Sequence, residues 1–144
     1  MTDKEVNDVM RILWSYRDMR ERLIMAQRNL EEVESTLTSI SIDYSKDRVT
    51  SSPVSPDRIG ELIDKLSGLR EKYIEQANEY LDVTKEVRRL IDGVTDRRFH
   101  ELLCRRYLFS QRWERIACDM GYDFRYLLKL HKKALEQVWK QIED

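Results

Sequence analysis

Glycine and proline are scarce in this chain, numbering four and two among 144 residues. That scarcity argues against a turn-rich all-β architecture and against collagen-like or linker-like sequence. There are two cysteines, too few for a disulfide framework. No apolar run approaches the roughly 20 residues that a membrane-spanning helix needs. The opening MTDKEVNDVM is charged and lacks a signal-peptide core, so a cytoplasmic location is expected. There is neither a phosphate-binding glycine loop nor a nucleophile elbow. With two histidines and no paired acid-base constellation, catalysis is not expected. No cofactor or small-molecule ligand is implied.

What the chain does have is charge and leucine-rich periodicity. Charged residues make up 37% and hydrophobic ones 41%, a composition that favours long helices. Val9, Tyr16, Leu23, Leu30 and Leu37 recur every seven residues. Ile12, Met19, Ala26, Val33 and Ile40 repeat the series three residues later. Together they form an apolar seam sustained over about five heptads. Residues 1–40 are therefore expected as a coiled-coil helix, on the order of 50 Å long at about 1.5 Å per residue. Its seam must be covered, because such a helix is not stable alone in water.

Residues 41–56 gather Ser, Thr, Asp and both prolines, and are expected as a flexible connector. A second seam follows over residues 57–93: Ile59, Leu66, Tyr73, Tyr80 and Val87, with Leu62, Leu69, Gln76, Val83 and Leu90 beside it. Ile63, Ala77 and Ile91 widen that stripe, so a further surface is expected against the second helix: the C-terminal segment or a second protomer. Two helices of similar length joined by one connector predict a long antiparallel hairpin, within one chain or between chains.

Residues 94–144 change character. A helix is expected over 96–108, capped by Thr95 or Asp96 and presenting Phe99, Leu102, Leu103, Tyr107 and Leu108. A second, capped by Ser110, runs from Gln111 to Met120. Gly121 breaks it, Asp123 stands at an N-cap, and Leu127, Leu130, Ala134, Leu135, Val138 and Ile142 mark a third. Ala117 and Gly121 place small residues four apart, where two helices can cross closely. The fold class expected is all-α, a helical hairpin followed by a trihelical helix-turn-helix domain. Charge is segregated too. Residues 1–96 hold 15 Lys/Arg against 20 Asp/Glu, whereas residues 97–144 hold 11 against 7. A basic end on an acidic stalk suits a nucleic-acid partner.

The stretch RRYLFSQRWERIACDMGYDFRYLLKLHKKAL resembles region four of bacterial sigma factors. The shared pattern falls on Arg106, Tyr107, Trp113, Ile116, Ala117, Gly121, Leu130, His131, Ala134 and Leu135. With the heptad half and the connector DRVTSSP, the layout resembles the ArpU/RinA-type late transcriptional regulators of phages and related phage proteins of unknown function. The resemblance implies a phage or prophage regulator in a bacterial host. It would bind promoter double-stranded DNA and contact bacterial RNA polymerase. Asp123 replaces the Ser usual in that pattern, and Phe124 and Leu128 stand where polar or basic residues are common.

On this reading the third C-terminal helix enters the major groove. Arg125, Lys129, Lys132 and Lys133 are candidates for bases or phosphates, and Phe124 and Leu128 for thymine methyls. Gln111, Arg112 and Arg115 are candidates for the backbone. A homo-oligomer is expected, a dimer first, with Trp14 and Trp139 as candidate anchors. Two other readings stand beside it: a small terminase-like packaging protein, and an anti-sigma-type adaptor that binds protein and not DNA. Cys104, Cys118, His100 and His131 lack metal-ligand spacing. The cysteines are expected in the core.

Overall fold

The computed structural model describes residues 1–46 and 55–143. Among them there is no strand. The elements are α1 (Asp3–Lys46), α2 (Pro56–Asp92), α3 (Arg97–Leu103), a π-helical turn (Cys104–Leu108), α4 (Trp113–Met120) and α5 (Phe124–Glu143). None of these helices is long and apolar enough to cross a membrane. α1 continues to Lys46, where the heptads predict an end near Ile40. Residues 47–54 of the expected connector lie outside the described residues.

The chain divides into two compact units. One is formed by Met1–Arg20 together with Tyr80–Asp144. Its core joins Val9, Leu13 and Tyr16 of α1 to Val87, Leu90 and Ile91 of α2. The same cluster takes in Phe99, Leu102, Leu103, Tyr107, Ile116, Leu127, Leu130, Leu135 and Val138. Burying a Leu, Ile or Val side chain stabilises by roughly 1.5–3 kcal/mol, so shared burial of this extent is what holds the short α3 and α4 in place. The end of the α2 stripe is thus covered by the C-terminal helices of its own chain. Gly93 closes α2, and a Cβ there would collide with the Gln141 side chain of α5. Gln141 Nε2 uses that space to donate to the Leu90 carbonyl at 2.7 Å, satisfying one of the orphan acceptors at the helix end.

The other unit is Glu21–Glu79. Ala26 and Val33 are its buried residues, with Leu23, Leu30, Leu37, Leu62, Leu66, Leu69 and Tyr73 half-buried around them. Every residue of the α1 seam is withdrawn from solvent at least in part. Arg70 pairs with Glu34 at 3.3 Å. Asn29, Val33 and Thr36 line a groove of about 410 Å³ with Arg58, Leu62 and Lys65. Ile63, expected to widen the buried stripe, is 52% exposed, because its side of α2 has no partner within the unit.

The expected 96–108 helix is α-helical only to Leu103. From Cys104 the winding widens, with the Phe109 N–H donating to the Cys104 carbonyl at 3.0 Å, five residues back. Both Tyr107 and Leu108 are thereby buried in succession. Asp96 is the cap of α3, accepting from the N–H groups of Arg98 and Phe99.

Candidate nucleic-acid interface

Two turns set the geometry of α4 and α5. Ser110 does not cap α4. It adopts φ 54°, and its buried Oγ has no partner among the described residues. α4 begins instead at Trp113 behind Arg112, which offers no side-chain cap. At the other end Gly121 takes φ 72° and ends the helix, with the Tyr122 N–H donating to the Ala117 carbonyl at 3.0 Å. Gly121 is exposed, and a Cβ there would meet nothing within 4 Å. Its value is the left-handed backbone, not the close helix crossing expected from the Ala117–Gly121 spacing.

α5 then splits cleanly into faces. Leu127, Leu130, His131, Ala134, Leu135 and Val138 are buried. Phe124, Arg125, Leu128, Lys129, Lys132 and Lys133 are all exposed. Among the described residues Arg125, Lys129, Lys132 and Lys133 form no ion pair, so their charge is unspent on the chain itself. The positive field belongs to the first half of the helix. Farther along, Lys140 shares a groove of about 370 Å³ with Glu5, Glu136, Glu143 and Trp139.

Of the candidates at and before α4, Gln111 and Arg115 are more constrained. Arg112 is exposed and unpaired among the described residues. Arg115 lies 3.5 Å from Asp119. That carboxylate is also held by Arg105 at 3.1 Å. Gln111 is half-buried and belongs to the turn: its Oε1 accepts from Arg105 at 3.4 Å, and its carbonyl accepts from Arg106 at 2.8 Å. Arg125, Lys129, Lys132 and Lys133 therefore offer more free charge than Gln111, Arg112 and Arg115 do. Exposed Tyr126 in the first turn of α5, with half-buried Tyr122 in the turn before it, was not singled out by the sequence. Tyr126 accepts from Arg98 at 3.1 Å, and its ring packs against Tyr122 at 5.0 Å.

Behind the exposed face lies an aromatic and cationic cluster that holds α4 and α5 to α1. The Arg106 guanidinium sits 4.6 Å from the Trp113 ring centre and 5.1 Å from that of Trp14. Arg17 lies 4.1 Å from the Trp14 ring centre. Trp14 meets Tyr107 edge-on at 4.7 Å, and Trp113 meets His131 in the same way at 4.7 Å. Burial pushes the His131 imidazole down to about 4, with the Arg106 charge as the second cause. Burial holds the Tyr107 phenol above its usual range and the Arg106 guanidinium below its own. Trp14 is thus engaged within its own unit.

The four residues weighed as metal ligands do not converge. His131 is buried against Tyr107, and Cys118 is exposed, contrary to the core position expected for it. His100 Nε2 is 3.0 Å from Asp92, but Cys104 Sγ lies 3.8 and 3.9 Å from the two ring nitrogens. A sulfur equidistant from both nitrogens is off the lone-pair axis of either. Cys104, His100 and Asp92 thus make pairwise contacts only. Among the described residues no group of three or more His, Cys, Asp or Glu side chains is placed to hold a metal ion. Comparison of the chain with protein-family models, curated proteins and solved structures found no match.

Proposed function

We propose that the chain is a DNA-binding transcriptional regulator of the phage or prophage type. In this reading α1 and α2 make a long antiparallel hairpin, and α3, α4 and α5 make a trihelical helix-turn-helix end with α5 in the major groove. The Tyr80–Tyr16 hydrogen bond and the Arg70–Glu34 pair, each within its own unit, support the antiparallel pairing. The single observation that carries the function is the row Arg125, Lys129, Lys132 and Lys133. These are exposed cations without ion pairs among the described residues, on a helix whose opposite face is anchored in the core. Cations committed to phosphates release counterions, so affinity falls with salt. A homodimer would present two such helices to two half-sites, and contact with RNA polymerase belongs to the same proposal.

The test is a salt titration of DNA affinity for the wild type and for Arg125→Ala combined with Lys129→Ala. The expected result is weaker binding and a log–log salt slope shallower by about two. Equal affinity and equal slope would remove these residues from the interface.

A further inference from the structure

We infer that Phe124 and Leu128 read thymine, touching its 5-methyl group in the major groove, so that the preferred DNA carries thymine opposite the first turns of α5. The inference rests on the DNA-binding reading and adds what the cations cannot supply, a preference for sequence. Phe124 is 46% exposed and Leu128 40% exposed, one helical turn apart. Arg125, Lys129 and Lys132 follow them round the helix and form no ion pair among the described residues. Phe124 and Leu128 thus stand between the buried face and the cations, so an occupant must bring a small apolar group with negative charge beside it. Duplex DNA brings both, as phosphates on the groove rims and thymine methyls on the floor.

Size separates DNA from a protein partner. Together the two side chains expose roughly 150 Å² of apolar surface, given about 150–250 Å² for a whole aromatic side chain. A stable protein interface buries about 800 Å² on each partner around a broad apolar centre. A thymine methyl needs only one or two side chains. The pair is also held in register. Leu127, Leu130 and His131 fix that stretch of α5 against the core, so the exposed rings and methyls project from a rigid element.

The probe is a random-sequence duplex pool, selected on the full chain. The retained duplexes are then resynthesised with deoxyuracil in place of thymine, which removes the methyl and leaves pairing and phosphate charge unchanged. Wild-type protein should bind the deoxyuracil duplexes about fourfold more weakly for each methyl contacted. The Phe124→Ala, Leu128→Ala double variant should bind both kinds of duplex equally, with its salt dependence intact. Equal binding of the two duplexes by the wild type overturns the inference while leaving the DNA-binding reading standing, and this comparison needs no variant to fold. Discrimination that survives in the double variant also overturns it, because the methyls are then read elsewhere. Retention of no duplex at all removes the DNA-binding reading and the inference together.

Discussion

The Tyr107 hydroxyl and Nε2 of His131 share a hydrogen bond of 2.7 Å, inside the core that joins α1 to the C-terminal helices. Both residues are at most 8% exposed. A phenol held above its usual range keeps its proton, and an imidazole held near 4 stays neutral and can accept it. The pair is therefore a neutral hydrogen bond in a desolvated place, where an unmade bond costs more than a made one contributes.

Stability should fall as pH drops from about 6.5 toward 4. The folded imidazole binds its proton only near 4. The unfolded one binds near its ordinary value of about 6.5. Between those values the unfolded state holds more protons, so stability is fully present above about 6.5 and declines below it. A difference of this size corresponds to a loss on the order of 3 kcal/mol. Urea unfolding at a series of pH values measures it. His131→Phe should be less stable at neutral pH by roughly 1–3 kcal/mol, since the Tyr107 hydroxyl loses its hydrogen-bond partner. It should also lose the slope between 6.5 and 4, and a variant that keeps the wild-type slope would assign the titration to another group.

The turn between α4 and α5 gives a second expectation. Gly121→Ala adds a methyl to open space, so packing does not oppose it. Its cost comes from φ 72°, which a side chain with a Cβ adopts at about 1–2 kcal/mol. Gly121→Asn should cost less, because Asn tolerates that region. Thermal unfolding of the two variants should rank them in that order. Equal losses would mean that something other than the backbone conformation holds the turn.

Periodicity carries far in this chain because helices bury residues at fixed spacing. The α1 seam from Val9 to Ile40 is withdrawn from solvent along its whole length. Leu13 is fully buried yet belongs to neither seven-residue series, because the start of α1 meets the C-terminal helices as well as α2. Ile63 fits the widened stripe and is exposed, since periodicity identifies an apolar face without saying that anything covers it. The Ser110 turn and the π-helical winding before it depend on tertiary packing, which a propensity for capping does not report. The Arg115–Asp119 pair was legible as an i,i+4 spacing. The Arg106–Trp14 stack was not, because its partners lie at opposite ends of the chain. The exposed cations of α5 were legible as a face opposite Leu127, Leu130 and Leu135, whereas their freedom from ion pairs needed the neighbouring side chains.

Gln76 offers the sharpest test of the α2 seam. It occupies a position of the companion series where Leu62, Leu69, Val83 and Leu90 are apolar. Its Oε1 is buried without a partner among the described residues. An unsatisfied amide oxygen costs about 1–3 kcal/mol relative to a satisfied one. Gln76→Leu replaces it with a side chain of similar reach that the seam accepts, so the variant should be more stable by about 1 kcal/mol or more. Gln76→Glu places a charge at the same buried oxygen and should be less stable than the wild type. Urea midpoints of the three proteins measure both shifts. A Leu variant no more stable than the wild type would mean that the amide oxygen is already satisfied in solution, and that the polar residue belongs in the seam.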